Sequence, residues 1–238
     1  VYKRHTNFAM ENIEQTVNGT ASKGGRVSVT IARNGDLIGN MYLELVPTAA
    51  LSIALDSDRA WAAESAVADI ELTIGGQRID KHYKQWWRLY SELYHDESKK
   101  LNYGKMTTAQ SGGGPVYLPL NFFFNRNPGL YLPLIALQYH EVRLDIDLSD
   151  SFTRDFGTNL RVWGNYVYLD TEERRRFAQN GHEYLIEQVQ HTGVDTVDSG
   201  LTKQVRLSYN HPVKELVWCF PNSGSESWNM SSDLQTMQ

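Results

Sequence analysis

The sequence predicts an all-β chain, an antiparallel jelly-roll sandwich with a few short helices. Three observations predict it. Apolar and polar residues alternate with a period of two in many short runs, as strands with one buried face require. Clusters of Gly, Pro and Asn separate those runs. The strand–helix–strand alternation of a parallel sheet is missing. Strand order within this class does not follow from periodicity.

Residues 1–17 read as an extended segment, because Thr16, Val17 and the turn pair Asn18-Gly19 oppose a helix. RVSVTIAR at 26–33 alternates cleanly, with Val27, Val29 and Ile31 on one face. Asn34-Gly35-Asp36 is a tight-turn signal, so LIGNMYLELVP at 37–47 is expected to return beside it as a hairpin. Residues 48–66 are rich in Ala and Ser and read as loop with a short helical turn. VADIELTI at 67–74, Gly75-Gly76 and residues 77–82 give a second hairpin, since two glycines supply the positive φ of a two-residue turn.

The strongest helix signal spans residues 83–100. Tyr83, Trp86, Trp87, Tyr90, Leu93 and Tyr94 recur at spacings of three and four and form one aromatic stripe. The glycines at 112–114 lack the Lys-Ser/Thr of a phosphate loop. VYLPLNFFF at 116–124 and LYLPLIALQ at 130–138 are apolar runs that Pro119 and Pro133 demote to edges, bulges or non-strand. VRLDIDL at 142–148 places Val142, Leu144, Ile146 and Leu148 inward and Asp145 and Asp147 outward. LRVWGNYVYL at 160–169 is a further strand. DTEERRRFAQ at 170–179 is a short helix with Asp170 as N-cap and Glu173 completing a capping box; its acidic start and basic end suit the helix dipole. Residues 183–190 and 205–220 read as strand again, the latter bent at Asn210-His211-Pro212.

The chain has 238 residues, is 41% hydrophobic and carries a net charge of −5, so a core is affordable while a nucleic-acid-binding surface is not indicated. Arg174-Arg175-Arg176 is the one compact basic cluster. No apolar run approaches the ~20 residues that span a bilayer. The single Cys219 excludes an intrachain disulfide. The seven histidines show no metal-helix spacing, and no Gly-x-Ser-x-Gly elbow is present. Asp145 and Asp147 share a strand face, as glycosidase carboxylates would, but equally as a solvated face would. No cofactor or metal is expected. Asn18 and Asn229 open formal glycosylation sequons. The chain starts without Met and reads as an internal fragment.

Six ordered blocks resemble the major capsid proteins of nucleocytoplasmic large DNA viruses, closest to those of algal viruses (phycodnaviruses). They are YKRHTNFAMENIEQTVNG, ARNGDLI, IGGQRIDKHY, FFFNRNPGLYLPLIALQYHEVRL, YLDTEERRRFAQNGHEYLIEQ and SYNHPVKELVW, the last carrying Asn210, His211, Pro212 and Trp218 as a family signature. The resemblance implies a double jelly roll that trimerises into pseudo-hexagonal capsomers of an icosahedral shell. It implies a first jelly roll over 1–170, a linker helix over 171–180 and the start of a second jelly roll over 181–238. It implies no enzyme activity. Partners would be two further copies in a homotrimer, neighbouring capsomers and minor capsid proteins, without direct nucleic-acid binding or a transmembrane segment. The protein would reside in the virion after assembly in the host cytoplasm. Trp86, Trp87, Phe122, Phe123 and Phe124 are the expected core or interface anchors. The competing function is a carbohydrate-binding jelly roll or a glycosidase, which would need exposed, coplanar Trp86 and Trp87 rings.

Overall fold

The computed structural model describes residues 5–52, 59–196 and 202–219. Its first compact unit runs to Val189 and its second begins at Gln190.

Two five-stranded antiparallel sheets make up the first unit. Sheet A has the order β1 (Ala9–Gln15), β10 (Leu160–Tyr168), β4 (Leu37–Leu45), β7 (Val116–Pro119), with β8 (Leu132–Pro133) also paired to β4. Sheet B has the order β2 (Val17–Asn18), β3 (Arg26–Thr30), β9 (Val142–Leu148), β5 (Val67–Ile74), β6 (Gln77–Tyr83). The inward positions that alternation marks are those that meet between the sheets. Val27, Val29, Leu43, Leu45, Leu144, Ile146 and Val162 are all buried in one cluster. Each contributes about 1.5–3 kcal/mol on burial.

The β5–β6 hairpin forms as the sequence predicts. Gly75 and Gly76 take φ of 60° and 82°, and Ile74 faces Gln77 across the turn. The hairpin expected at residues 26–47 does not form. β3 pairs with β2 and β9, while β4 pairs with β10, β7 and β8. The chain therefore changes sheets through Asn34-Gly35-Asp36. Both strands show one apolar face because both line the same core, and period two does not name the neighbour. Gly35 is needed for close approach: a Cβ there would lie 3.0 Å from the Tyr166 Cβ.

The expected helix over 83–100 is two helices, Lys84–Tyr94 and Glu97–Thr107. Asp96 breaks it by capping the second, accepting from the Lys99 N–H at 2.8 Å. The second helix runs on to Thr107, past the expected end at residue 100. β7 stops at Pro119, and Phe122–Phe124 form a buried turn instead of continuing the strand. Asn125 holds that turn. Its Oδ1 accepts from the Phe122 N–H at 3.1 Å, and its Nδ2 donates to the Gly39 carbonyl at 2.7 Å.

Asp170 caps the helix Thr171–Gln179, accepting from the Glu172 N–H rather than that of Glu173. That helix is tied to the sandwich by Arg174, 2.9 Å from the buried carboxylate of Asp36, and by Phe177 against Leu37, Tyr131 and Val167. Residues 183–190 and the described part of 205–220 contain no strand. Among the described residues no neighbouring strand pairs with them, and a strand without a ladder partner leaves its polar backbone to water or side chains.

Gly39 is the sharpest packing constraint in β4: a Cβ would fall 2.3–2.5 Å from ring atoms of Tyr131. Gly39→Ala is expected to cost about 1–3 kcal/mol by overpacking, measured by urea denaturation. A loss below about 0.5 kcal/mol would show that the Tyr131 ring is not seated there.

Candidate functional site: the outer surfaces of the sandwich

The two outward faces differ in chemistry. On sheet B, cross-strand rows place charges beside charges: Arg26 faces Asp147, and Asp147 faces Asp69. Arg26 reaches Asp147 with two hydrogen bonds, at 2.6 and 2.5 Å. Lys81 lies 3.0 Å from Asp69, and Arg143 lies 2.6 Å from Asp145. Asp145 and Asp147 are thus engaged in a hydrated ion-pair lattice and are not aimed into a cleft. The hydrogen bond from Arg26, reinforced by its charge, holds the Asp147 carboxyl below the ordinary aspartate range. Burial pushes Asp69 the other way, against Lys81.

Sheet A presents aromatic rings outward. Trp163 and Tyr42 are direct cross-strand partners with ring planes 13° apart and centroids at 6.4 Å. Tyr117 meets Tyr42 edge-on at 5.8 Å. The Trp163 indole donates to Glu44 at 2.6 Å, so the carboxylate among the rings is occupied. These half-buried rings are the type of side chain enriched at protein interfaces.

The helices Ala62–Ser65, Lys84–Tyr94 and Glu97–Thr107 meet around a buried ion pair. Arg88 donates to both oxygens of Glu64, at 3.3 and 3.0 Å, and the Tyr103 hydroxyl donates to the same carboxylate at 2.5 Å. The Arg88 guanidinium also stacks 3.3 Å above the ring of Trp61, a residue held at φ 51°. Burial raises the Glu64 carboxyl above its ordinary value, and Arg88 and Tyr103 offset part of that penalty.

Of the expected anchors, Trp87, Phe122 and Phe124 are fully buried and Phe123 nearly so. Trp86 is half-buried and forms an aromatic ladder with Tyr90 and Tyr94 on the same helix. Adjacent residues of a helix point about 100° apart, so Trp86 and Trp87 do not share a face. The coplanar platform that the competing carbohydrate-binding function would need is absent, because Trp87 is fully buried and offers no free ring face. Asn18 is exposed on the short edge strand β2. In the second unit Asn210, His211, Pro212 and Trp218 are exposed, Trp218 by 61%. The Asn210 N–H donates to Gln190 Oε1 at 3.3 Å. Asn229 lies outside the described residues. Sequence reasoning missed Trp163, Tyr42 and Tyr117; the alternation of each strand marks its ring as outward, since each sits between buried neighbours.

Residues 1–170 match the family described as major capsid protein N-terminus, and residues 173–233 match large eukaryotic DNA virus major capsid protein. The chain is 46% identical to the major capsid protein of Pyramimonas orientalis virus, over 94% of this chain and 59% of the relative. It is 45% identical to that of Paramecium bursaria Chlorella virus 1, over 92% of this chain and 54% of the relative. The chain therefore spans between half and two thirds of the length of these relatives. Among solved structures, PBCV-1 VP54, fitted into a reconstruction of the virophage Sputnik, superposes with a TM-score of 0.70 at 44% identity, covering 80% of this chain and 49% of that one. The Faustovirus major capsid protein shares the fold alone, with a TM-score of 0.55 at 8% identity, over 74% of this chain and 57% of that one.

Two outcomes follow from the charged clusters. Removing one partner of a buried ion pair strands the other, so Glu64→Ala is expected to cost about 3–5 kcal/mol in urea denaturation and to alter the near-ultraviolet dichroism of Trp61. A loss under 1 kcal/mol would show that Arg88 is not buried against it. For Asp147 the folded value is depressed, so its contribution is complete above the ordinary value of 3.8 and lost as pH falls through the depressed one. Arg26→Ala should therefore be less stable than wild type by up to about 1 kcal/mol at pH 7, with the difference closing in acid. A difference that persists unchanged below that range would place the effect elsewhere.

Proposed function

Because the chain belongs to the family of major capsid proteins of large eukaryotic DNA viruses, we propose that it is a structural subunit of a virus shell, built from trimeric pseudo-hexagonal capsomers. The observation that carries this is the joint match of both family descriptions to one chain whose first unit is a complete two-sheet sandwich. The role is geometric. A rigid sandwich presents one ion-paired face to water and one aromatic face to neighbours, and repeated symmetric contacts stabilise the shell. Obligate contacts of this kind bury about 2,000–5,000 Å².

The domain plan is a first jelly roll over 1–170, a linker over 171–180 and the start of a second jelly roll from 181. Its support is the change from one family match to the other between Asp170 and Glu173, at the N-cap of the helix Thr171–Gln179. The half-buried Trp86 ladder and the Trp163 face are the proposed interface anchors, with Trp87 and Phe122–Phe124 supporting them from the core. Minor capsid proteins and neighbouring capsomers are the proposed partners, the virion the proposed location, the host cytoplasm the proposed place of assembly, and catalysis no part of the role. Among the described residues no helix is long and apolar enough to cross a membrane.

Size-exclusion chromatography with light scattering on residues 1–180, on 1–238 and on the protein at the length of its relatives tests the capsomer. A discrete trimer is expected only for the longest form. A monomer at high concentration for that form would refute the capsomer, and a trimer from 1–238 would refute the need for a second jelly roll.

A further inference from the structure

Sheet edges are open templates for another strand, and proteins close them by various devices. Here β6 is the edge of sheet B, seven residues long and regular beyond its one bulge. Two of its backbone groups are engaged outside the ladder. The Ile79 carbonyl accepts from the side-chain amide of Gln188. The Lys81 N–H donates to Asp80 Oδ1 at 2.8 Å. That same oxygen accepts the Val189 N–H at 3.0 Å, while Asp80 Oδ2 is 2.9 Å from His82 Nε2. The buried Asp80 carboxylate thus holds one backbone N–H of β6, that of Lys81, and on the same oxygen the Val189 N–H of the segment that lies beside it.

The segment that delivers Gln188 and Val189 is bound by side chains and not by a ladder. Tyr184 and Ile186 pack on the core, the Tyr184 hydroxyl donates to the Tyr131 carbonyl at 3.0 Å, and Glu187 is 2.9 Å from Arg126. Between them Leu185 is 89% exposed. Residues 184–187 alternate between half-buried and exposed, as a strand would, yet the segment has no backbone-to-backbone bond to β6.

We propose that residues 184–189 are a latch that closes the β6 edge against strand addition by a second copy of the chain, with Asp80 as its keeper. Opening it exposes the Ile79 carbonyl and leaves an edge that accepts a partner strand by backbone pairing. The latch is a property of one chain and holds whether or not the shell role does.

Hydrogen exchange followed by NMR on the intact chain, together with light scattering across a concentration series, tests it. In wild type the Val189 amide should exchange at least about tenfold more slowly than an unstructured amide. Glu187→Ala/Gln188→Ala changes only the surface segment and should abolish that protection while β9 amides keep theirs. The same variant should self-associate at about tenfold lower concentration than wild type. Asp80→Ala removes the acceptor and should likewise free the Val189 amide. Wild-type Val189 exchanging as an unstructured amide would overturn the latch, as would retained protection in the double variant. Loss of protection without any gain in mass would overturn the closure of the edge against a second copy.

Discussion

A chain that changes sheets must carry polar backbone past the rim of an apolar core, and every such group needs a partner. Here that requirement is met at one buried knot. β1 ends at Gln15, which is 2% exposed, and its Oε1 accepts the Ala32 N–H at 3.1 Å. The hydroxyl of the fully buried Tyr166 lies 2.8 Å from the same oxygen and 2.6 Å from the Ala32 carbonyl, and donates to this pair. β1, β10 and the β3–β4 connection are thereby joined where the chain passes between sheets. Burial raises the Tyr166 hydroxyl to about 12, so it stays a donor at any ordinary pH. Asp36 repeats the device one turn further on, taking the Leu169 N–H and Arg174. Once these crossings are fixed, β3 and β4 cannot pair, and each finds its neighbours in its own sheet.

That constraint explains what was legible in the sequence. Facing was legible, because alternation records burial: Val27, Val29, Leu144 and Ile146 fell on the predicted side. Local chemistry was legible too, in the Gly75-Gly76 turn, the Asp170 cap and the stop at Pro119. Pairing was not, because the face of a strand says nothing of its edge neighbours. Gln15 and Tyr166 carry no sequence signal, since they are 151 residues apart and meet only when the sandwich closes. The helix break at Asp96 was written in the Asp-Glu-Ser-Lys start of the second helix, just past Tyr94, where the aromatic stripe ends. Trp86 and Trp87 failed as a platform for a reason the helix period already contained.

Of the candidate site, the resemblance reached the family but not the surfaces. Six blocks match because a shared fold constrains turns, caps and core, and those constraints say little about which face meets a partner. Trp163, Tyr42 and Tyr117 come together from three strands, which only the sheet order reveals.

The surfaces can then be ranked by what each leaves unsatisfied. The outer face of sheet B pairs its charges internally, and an exposed pair of that kind gains little from a partner that must first strip its water. Its β6 edge is closed by Asp80 and Gln188. Sheet A has neither protection: its rings are half-buried, and β1 is paired on one side only, with Phe8 and Met10 about half exposed beside it. Burying rings costs less desolvation than burying ion pairs, and returns more dispersion and hydrophobic energy per unit area. Among the described surfaces of the first unit, sheet A is therefore where a contact with another subunit would be most favourable. The ion-paired face of sheet B, with its β6 edge latched, limits the directions in which such contacts can grow, and a shell of closed symmetry depends on that limit as much as on the attraction itself.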